Sequence, residues 1–308
     1  MKEEQTTDIS VGTNQHTYAE SPRRGFAMML MVVSSVLISF SGLIIRHIDA
    51  EPMVINFYRA IALTIAVMLI LVFQYKRMAI SYMVGIGRYG ILGGVMLSIA
   101  AICFLQAMAN TTVANTLFVL SAIPFFTAVL AWVFLHERLS RATVIAMMVA
   151  FMGLTVMVGD GFGAGSLYGN GMALVTAFCF AVYAVIVRQN RQINMLPTLI
   201  VSAIIVIVIA LITRFGQLAI SWQDFLLCMF WGGVLSGSAN AMFIAASRHL
   251  AAAELTLFML LEFALGPIWV WLFLSETPSR LTLIGGVLVI TAVATRTLVE
   301  MRAAHQSG

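Results

Sequence analysis

The chain has 308 residues, of which 61% are hydrophobic and only 10% are charged, and its mean hydropathy is +0.99. A water-soluble domain of this length cannot bury so large an apolar fraction, so the composition excludes a soluble globular protein and indicates a polytopic membrane protein. The net charge of +4 is not accompanied by a patch of interleaved basic and aromatic residues, which argues against a nucleic-acid partner.

Uncharged stretches long enough to cross a hydrocarbon core of ~30 Å recur along the chain. They are continuously apolar and lack the period-two alternation of β-barrel strands, so they predict α-helices. The run from Tyr89 to Leu135 is too long for one crossing, and we divide it at the polar segment 110–112. The sequence therefore predicts an all-α membrane protein with ten transmembrane helices at residues 25–45, 53–75, 89–109, 112–135, 142–158, 168–188, 195–214, 225–247, 252–274 and 281–299.

An internal repeat relates the two halves of the chain. Residues 132–143 reappear as residues 271–282 with seven of the twelve positions identical, and the same offset relates Gly93-Gly94 to Gly232-Gly233; we call residues related by this offset equivalent. Five helices in each copy would place the second copy upside down in the membrane, and inverted repeats of this kind are typical of transporters. The predicted parts are a disordered cytoplasmic tail at 1–24, a first repeat at 25–158, a Gly-rich outer linker at 159–167, a second repeat at 168–300 and a cytoplasmic tail at 301–308.

The basic residues predict the orientation. With the N-terminus inside, thirteen of the 17 Lys and Arg residues fall in inner loops and tails, three fall in outer loops, and Arg59 lies within a helix. The positive-inside rule then places both termini in the cytoplasm.

The residues that an intramembrane enzyme needs are missing from the predicted helices. The Asp residues fall in loops or in the N-terminal tail, and the His residues fall at helix ends or in the tails, with no pair at metal-ligand spacing. The three Cys residues lie in different helices and are interpreted as small buried hydrophobes. The sequence therefore predicts no enzyme, no metal and no cofactor.

Glu262 is the carboxylate that falls near the middle of a predicted helix. An acid there costs about 2.5–3.5 kcal/mol on insertion scales, so it should face a partner or a wet cavity. Two interpretations remain open. Glu262 either forms an ion pair with Arg59 that only locks two helices, or it lies in a central cavity where a substrate amine or a proton changes its charge.

Other polar or small residues in the helices allow two interpretations. Ser236 and Asn240 share a helical face, and Asn115 and Ser121 lie in the fourth helix; each suits either interhelical hydrogen bonding or substrate contact. Two G-x-x-x-G motifs predict close helix packing, at Gly90 and Gly94 in the third helix and at Gly233 and Gly237 in the eighth.

Two further acidic residues, Glu137 and Glu276, lie just past the ends of the fourth and ninth helices, each four residues before an Arg. We interpret them as structural residues that stabilise the helix hairpins, and each ion pair would contribute about 0.5 kcal/mol of stability if it is exposed.

Two segments resemble a known family. The first reads FFTAVLAWVFLHERLS, with Pro124 directly before it, and the second reads LLEFALGPIWVWLFLSETPS, followed by LIGGVLVI. They resemble the two domains of the EamA family of the drug/metabolite transporter superfamily, and the resemblance covers about residues 25–300. One departure is that Phe263 replaces the proline expected thirteen residues before Glu276, while Pro267 lies one turn later. A kink in the ninth helix is therefore expected nearer the outer face.

The resemblance implies a carrier of the bacterial inner membrane that works by alternating access and usually exports amino acids, related metabolites or toxic small molecules. The expected partners are a small-molecule substrate, the lipid bilayer and protons, and a monomer is expected to suffice. Export depends on the resemblance alone, so an importer or a facilitator stays open. A membrane scaffold or assembly factor, which would need no polar cavity, is the alternative from a different class.

Overall fold

A computed structural model of the chain describes residues 22–76, 85–111, 113–137, 139–158, 166–274 and 280–306. Within these ranges the protein is helical and has no β-strand, which confirms the predicted all-α class. Most of the predicted linker and tails, together with Arg138 and Glu276, lie outside the described residues. The elements in chain order are α1 (Pro22–Ser39), α2 (Ser41–Ile45), α3 (Pro52–Tyr75), α4 (Gly87–Asn110), α5 (Val113–Leu120), α6 (Ile123–Leu135), α7 (Arg141–Val158), α8 (Leu167–Gln189), α9 (Pro197–Arg214), α10 (Trp222–Met229), a π-helical turn (Phe230–Ser236), α11 (Gly237–Ala246), α12 (Ala252–Phe258), α13 (Leu260–Leu274) and α14 (Arg280–Gln306).

Eight helical stretches in the described part of the chain are long and apolar enough to cross a membrane. Two shorter apolar helices, at 141–156 and 283–295, occupy the places of the fifth and tenth predicted helices. The predicted helix bounds agree with the observed ones to within a few residues, except that α14 continues to Gln306. Helix length therefore supports eight of the ten predicted crossings.

Proline and serine residues mark where several helices begin. Helices α3 and α9 start at Pro52 and Pro197, where the missing N–H is harmless because first-turn amides have no partner within the helix. The hydroxyls of Ser166 and Ser221 accept hydrogen bonds from first-turn amides of α8 and α10.

The fourth and ninth predicted helices are interrupted at equivalent places. The fourth is broken at residues 121–122, because Pro124 has no N–H for the carbonyl of Leu120. The ninth is interrupted at Met259, the equivalent of Leu120, although the second repeat has no proline there. This interruption lies nearer the start of the helix than the kink expected from Pro267.

The π-helical turn packs closely on α3 through one of its glycines. A Cβ built on Gly232 would lie 2.2 Å from the carbonyl oxygen of Arg59, whereas a Cβ on Gly233 would find its nearest atom at 3.5 Å. A Cβ on Gly237 would meet a methyl group of α3 at 3.0 Å. The closest approach is therefore at Gly232 and not at the predicted Gly233.

The glycine contacts of α4 mirror those of the π-helical turn. A Cβ on Gly94 would meet Val201 of α9 at 2.6 Å, and a Cβ on Gly233 would meet Ala62 of α3 at ordinary distance. Val201 and Ala62 are equivalent residues, as the two glycines are, so the two repeats pack on each other through matching positions. Gly90 differs, since the atoms nearest to its position all belong to Ile86, one turn earlier.

Helices of the two repeats interleave around the middle of the molecule. Helix α4 packs on α8 and α9, α1 packs on α11 and α13, and α7 packs on α14. The largest cluster of buried apolar side chains contains residues of both repeats, including Met31, Tyr183 and Phe243. Large apolar side chains such as Phe73 and Trp132 point outward, as a lipid-facing surface requires.

Candidate functional site

A cavity of about 160 Å³ lies between the two repeats. Most of its wall is apolar, and two lining residues are ionisable, namely the basic Arg59 on α3 and the acidic Glu262 on α13. We call it the central cavity. It is lined by Ile38, Ser41, Arg59, Leu97, Ala100, Ala101, Phe104, Leu120, Ile123, Thr176, Phe180, Trp231, Ser236, Asn240, Met259, Glu262 and Phe263.

A smaller chamber of about 70 Å³ adjoins the central cavity, and we call it the side chamber. Arg59, Ser236 and Asn240 are among the residues that line both spaces. Asn56 and Ser202 line the side chamber alone and add two more polar side chains. Its remaining lining residues are Ala60, Leu63, Leu97, Ala101, Ala203 and Val206.

Arg59 and Glu262 line the same cavity without forming a salt bridge. Among the described residues, no salt bridge with an N···O distance of 4.0 Å or less joins them. The guanidinium of Arg59 instead lies over the indole of Trp231, with its Cζ 4.5 Å from the ring centroid, in a cation–π arrangement. Because these two ionisable groups line one space without a salt bridge between them, both are available to a ligand.

The charged pair is a difference between the repeats. The equivalent of Arg59 in the second repeat is Thr198, and the equivalent of Glu262 in the first repeat is Ile123, which also lines the central cavity. A Cβ built on Gly93 would contact Thr198, and a Cβ built on the equivalent Gly232 would contact Arg59. Thr198 and Arg59 therefore occupy equivalent places in the structure as well as in the sequence. Each repeat therefore contributes one charge to the site, and the equivalent position in the other repeat is uncharged.

The structure brings some of the other predicted polar residues into the site and leaves others out. Ser236 and Asn240 line both spaces, and the Asn240 side-chain amide donates to the Ser236 carbonyl at 2.8 Å. Ser121 is fully buried, and its hydroxyl donates to the Phe118 carbonyl at 2.5 Å. The side chain of Asn115 lies outside the described residues.

Sequence reasoning missed Asn56 and Trp231. Asn56 lies three residues before Arg59, so the two share a helical face, and this spacing was a signal that could have found it. Trp231 looks like an ordinary membrane tryptophan in the sequence, and only the packing of the π-helical turn on α3 places it under Arg59.

Two ion pairs join the repeats at one end of the molecule, which we call the N-terminal face because Arg24 lies there. Arg24, at the start of α1, donates to both carboxylate oxygens of Glu254 on α12 at 2.9 and 3.0 Å. Arg188, near the end of α8, donates through Nε to Glu137, which follows α6, at 2.7 Å. These four residues form the ionic latch.

Glu137 has partners that the sequence did not predict. Besides Arg188, its carboxylate accepts a hydrogen bond at 3.1 Å from the amide of Ala252, at the start of α12. First-turn amides have no helical partner and attract a negative charge, whereas the expected partner Arg141 is exposed to solvent. Glu137 therefore connects the two repeats. Its counterpart Glu276 lies outside the described residues.

The remainder of the N-terminal face is basic around His249. Partial burial lowers the pKa of His249 below its ordinary value, and the positive charges of Arg23, Arg248, Arg188 and Arg191 lower it further. Such a concentration of arginines is typical of the cytoplasmic side of a membrane protein.

An all-helical, apolar protein built from two interleaved repeats, with a charged cavity between them, has the architecture of a membrane transporter. The chain belongs to the EamA-like transporter family, which matches residues 25–159 and 167–297. The family resemblance of the two sequence segments is thereby confirmed.

A named relative agrees with this membership, and a solved structure shares the fold. The "Pseudopaline exporter CntI" of Pseudomonas aeruginosa, in strains UCBPP-PA14 and PAO1, is 25% identical over 280 residues, which cover 86% of this chain and 93% of the relative. A protein crystal structure with 16% sequence identity superposes with a TM-score of 0.74 and covers 90% of this chain and 98% of its own. At this identity the superposition establishes the fold alone.

Proposed function

We propose that the protein is a secondary-active carrier of the bacterial inner membrane that exports amino acids or related small amphipathic molecules by alternating access. The observation that carries this proposal is the cavity lined by both repeats, in which Arg59 and Glu262 face one space without pairing. Its apolar wall and two charges suit a molecule with an apolar body and a charged head. Similarity to a relative named as an exporter supports the direction.

The proposed topology has ten crossings with both termini in the cytoplasm, so the ionic latch closes the cytoplasmic side. Glu262 lies eight residues beyond Glu254, which is about 12 Å along the helix, so the central cavity is displaced from the latch toward the outer side. Opening the cytoplasmic side requires both ion pairs to separate. The interruptions at 121–122 and Met259 are places where the helices that carry Glu137 and Glu262 can bend.

Protons are the proposed coupling ion, and Glu262 is the proposed carrier of the proton. A cationic group of the substrate and a proton cannot both neutralise one carboxylate, so they bind to it in alternation. Release of the substrate outside followed by uptake of a proton would let the inward proton gradient drive export.

The decisive experiment measures transport by the purified protein in proteoliposomes loaded with a cytosolic metabolite extract. Solutes that leave these vesicles faster than they leave protein-free vesicles are identified by mass spectrometry, with and without a pH gradient. Solute-specific efflux that the gradient accelerates supports a proton-coupled exporter. Gradient-independent flux in both directions indicates a facilitator, accumulation inside indicates an importer, and no specific flux at all indicates a scaffold or assembly factor.

The topology predicts opposite labelling of two engineered cysteines in a variant without the three native cysteines. Ala164→Cys in the Gly-rich linker is expected to react with a membrane-impermeant thiol reagent in intact cells. Ser140→Cys, between α6 and α7, is expected to react only after the membrane is opened with detergent. Labelling of Ser140→Cys in intact cells contradicts the proposed topology.

Removal of the ionic latch is expected to open the cytoplasmic side. In the same cysteine-free background, Ala101→Cys places a thiol in the central cavity, and inverted membrane vesicles expose the cytoplasmic side to an impermeant reagent. The double change Glu137→Gln and Glu254→Gln should raise the labelling rate severalfold, because Arg188, whose side chain is 9% exposed, loses its charged partner.

The matched control for this labelling is Glu51→Gln, which removes the carboxylate paired with Arg214 at the opposite end of the molecule. This control should leave the labelling rate from the cytoplasmic side unchanged. An unchanged rate in the latch variant would show that the two ion pairs do not hold this side closed.

A further inference from the structure

The side chamber holds a buried acceptor that has no hydrogen-bond donor among the described residues. The side chain of Asn56 is 1% exposed, and its Nδ2 donates to the carbonyl of Ala101 at 3.3 Å. Its Oδ1 is buried and unpartnered. A buried acceptor of this kind is rare in a folded protein, and one that lines a cavity indicates a partner that the protein chain does not supply.

The orientation of the Asn56 amide is fixed by its neighbour. Rotation of the amide by half a turn would bring Oδ1 against the Ala101 carbonyl, so that two acceptors would face each other. With Nδ2 on the Ala101 carbonyl, Oδ1 is necessarily the atom left without a donor. The side chamber therefore offers a specific acceptor position.

A positive charge lies in the same chamber. Arg59 lines it together with Asn56, its guanidinium is held over the ring of Trp231, and its backbone is packed against Gly232. Its position is therefore determined by contacts on two sides. The chamber thus combines a fixed cation, which attracts an anionic group, with an acceptor, which requires an N–H or O–H.

We propose that the side chamber binds the head group of the substrate and selects carboxylates that carry an N–H or O–H donor on the neighbouring carbon, as 2-amino and 2-hydroxy acids do. The carboxylate contacts Arg59 and the donor contacts Oδ1 of Asn56, which makes Asn56 a specificity-determining residue. This inference rests on the proposed function and identifies the part of the site that recognises the head group.

The sizes of the two spaces fit this division. A volume of about 70 Å³ has room for roughly two water molecules, each with a liquid share of about 30 Å³, or for one small polar head group. The body of the substrate would occupy the central cavity, where Phe104, Phe180 and Phe263 provide apolar surface and where a second, cationic group of the substrate would reach Glu262.

The test compares three radiolabelled probes that share a carbon skeleton and a carboxylate, in equilibrium binding to the purified protein in detergent. Leucine carries an amino donor, 2-hydroxy-4-methylpentanoate carries a hydroxyl donor, and 4-methylpentanoate carries neither. The protein is expected to bind the first two at least about tenfold more tightly than the third, because a site built to accept a hydrogen bond rejects an analogue without the donor.

Substitution of Asn56 assigns this preference to one atom. Asn56→Leu has a similar size and no acceptor, so it should bind all three probes within about threefold of one another. Asn56→Thr has an uncharged hydroxyl that can donate to the Ala101 carbonyl and still accept, so it should keep a preference for leucine, and it provides the test if Asn56→Leu does not fold. Asn190→Leu makes the same change outside both spaces, at an amide that donates to the carbonyl of Ile186, so this control should leave the preference intact.

Three outcomes would overturn the inference: no measurable binding of any probe, equal binding of all three by the unmodified protein, or a preference that survives in folded Asn56→Leu. Equal binding would mean that the site does not recognise the donor, and a surviving preference would mean that a residue other than Asn56 accepts its hydrogen bond. Because binding is measured without a membrane, a protein that discriminates among the probes but carries no solute contradicts only the proposed function. One that carries solutes without discriminating contradicts only this inference.

Discussion

Replacement of Glu262 by glutamine is expected to reduce proton-driven flux at least about tenfold, which corresponds to ~1.4 kcal/mol in the barrier to transport. Glutamine keeps the size of the side chain but cannot take up or release a proton, so the residual flux should no longer depend on pH. The amount of folded protein should stay normal, because Glu262 makes no salt bridge in the described structure that its neutralisation would break. Proteoliposome flux at several pH values, with a solute identified in the transport experiment, measures both effects.

Glu51→Gln is the matched control for this substitution, since it makes the same chemical change at an ion pair far from the central cavity. It should transport normally with normal pH dependence. The alternative, in which Glu262 only locks helices together with Arg59, predicts poor folding that Arg59→Gln partly restores. Normal abundance, normal flux and unchanged pH dependence in Glu262→Gln would refute a role in the cavity.

Substitution of Gly232 by alanine is expected to have the largest effect on folding. The added Cβ would lie 2.2 Å from the carbonyl oxygen and 2.8 Å from the Cα of Arg59, and neither backbone atom can move independently of α3. Overpacking of this kind costs about 1–3 kcal/mol and occasionally more, so most of the protein should be lost to aggregation or degradation. Fluorescence-detected size-exclusion chromatography of detergent extracts measures the remaining monodisperse fraction.

The neighbouring glycine provides the control for this experiment. In Gly233→Ala the added Cβ would find its nearest atom at 3.5 Å, an ordinary contact, so yield and elution profile should match the unmodified protein. Gly94→Ala should fall between the two, because its closest contacts, at 2.6 and 2.8 Å from Cγ1 and Cβ of Val201, are longer than the 2.2 Å contact at Gly232. Equal yields from Gly232→Ala and Gly233→Ala would show that α3 and the π-helical turn are less tightly packed than the structure indicates.

The sequence predicts much of this architecture because lipid imposes simple constraints. A long apolar run has to be a helix, so the helix bounds could be read from hydropathy alone. The constant offset between matching residues revealed the duplication, and it also relates the contacts of Gly94 and Gly233 in space. Glu262 and Arg59 stood out because ionisable residues inside a membrane are rare.

Other features depend on packing that no local pattern encodes. The closest contact with α3 is at Gly232 and not at Gly233, and hydropathy does not distinguish neighbouring glycines or a π turn from an α-helix. The partners of Glu137 lie 51 and 115 residues away in the chain, so its connection to Arg188 and Ala252 appears only in the folded structure. The unpartnered Oδ1 of Asn56 is likewise a property of its surroundings.

Because the two repeats carry different ionisable residues, a homodimer of either repeat could not form the same cavity. An antiparallel homodimer of the first half would present two copies of Arg59 and, at the equivalent of position 262, two copies of Ile123. A homodimer of the second half would present two copies of Glu262 opposite two of Thr198. Each homodimer would enclose two like charges that repel one another, and it would lack a residue of the opposite charge. A cavity with one acidic and one basic residue therefore exists only when the two different halves are joined, and a homodimer of either half would not bind the same ligand.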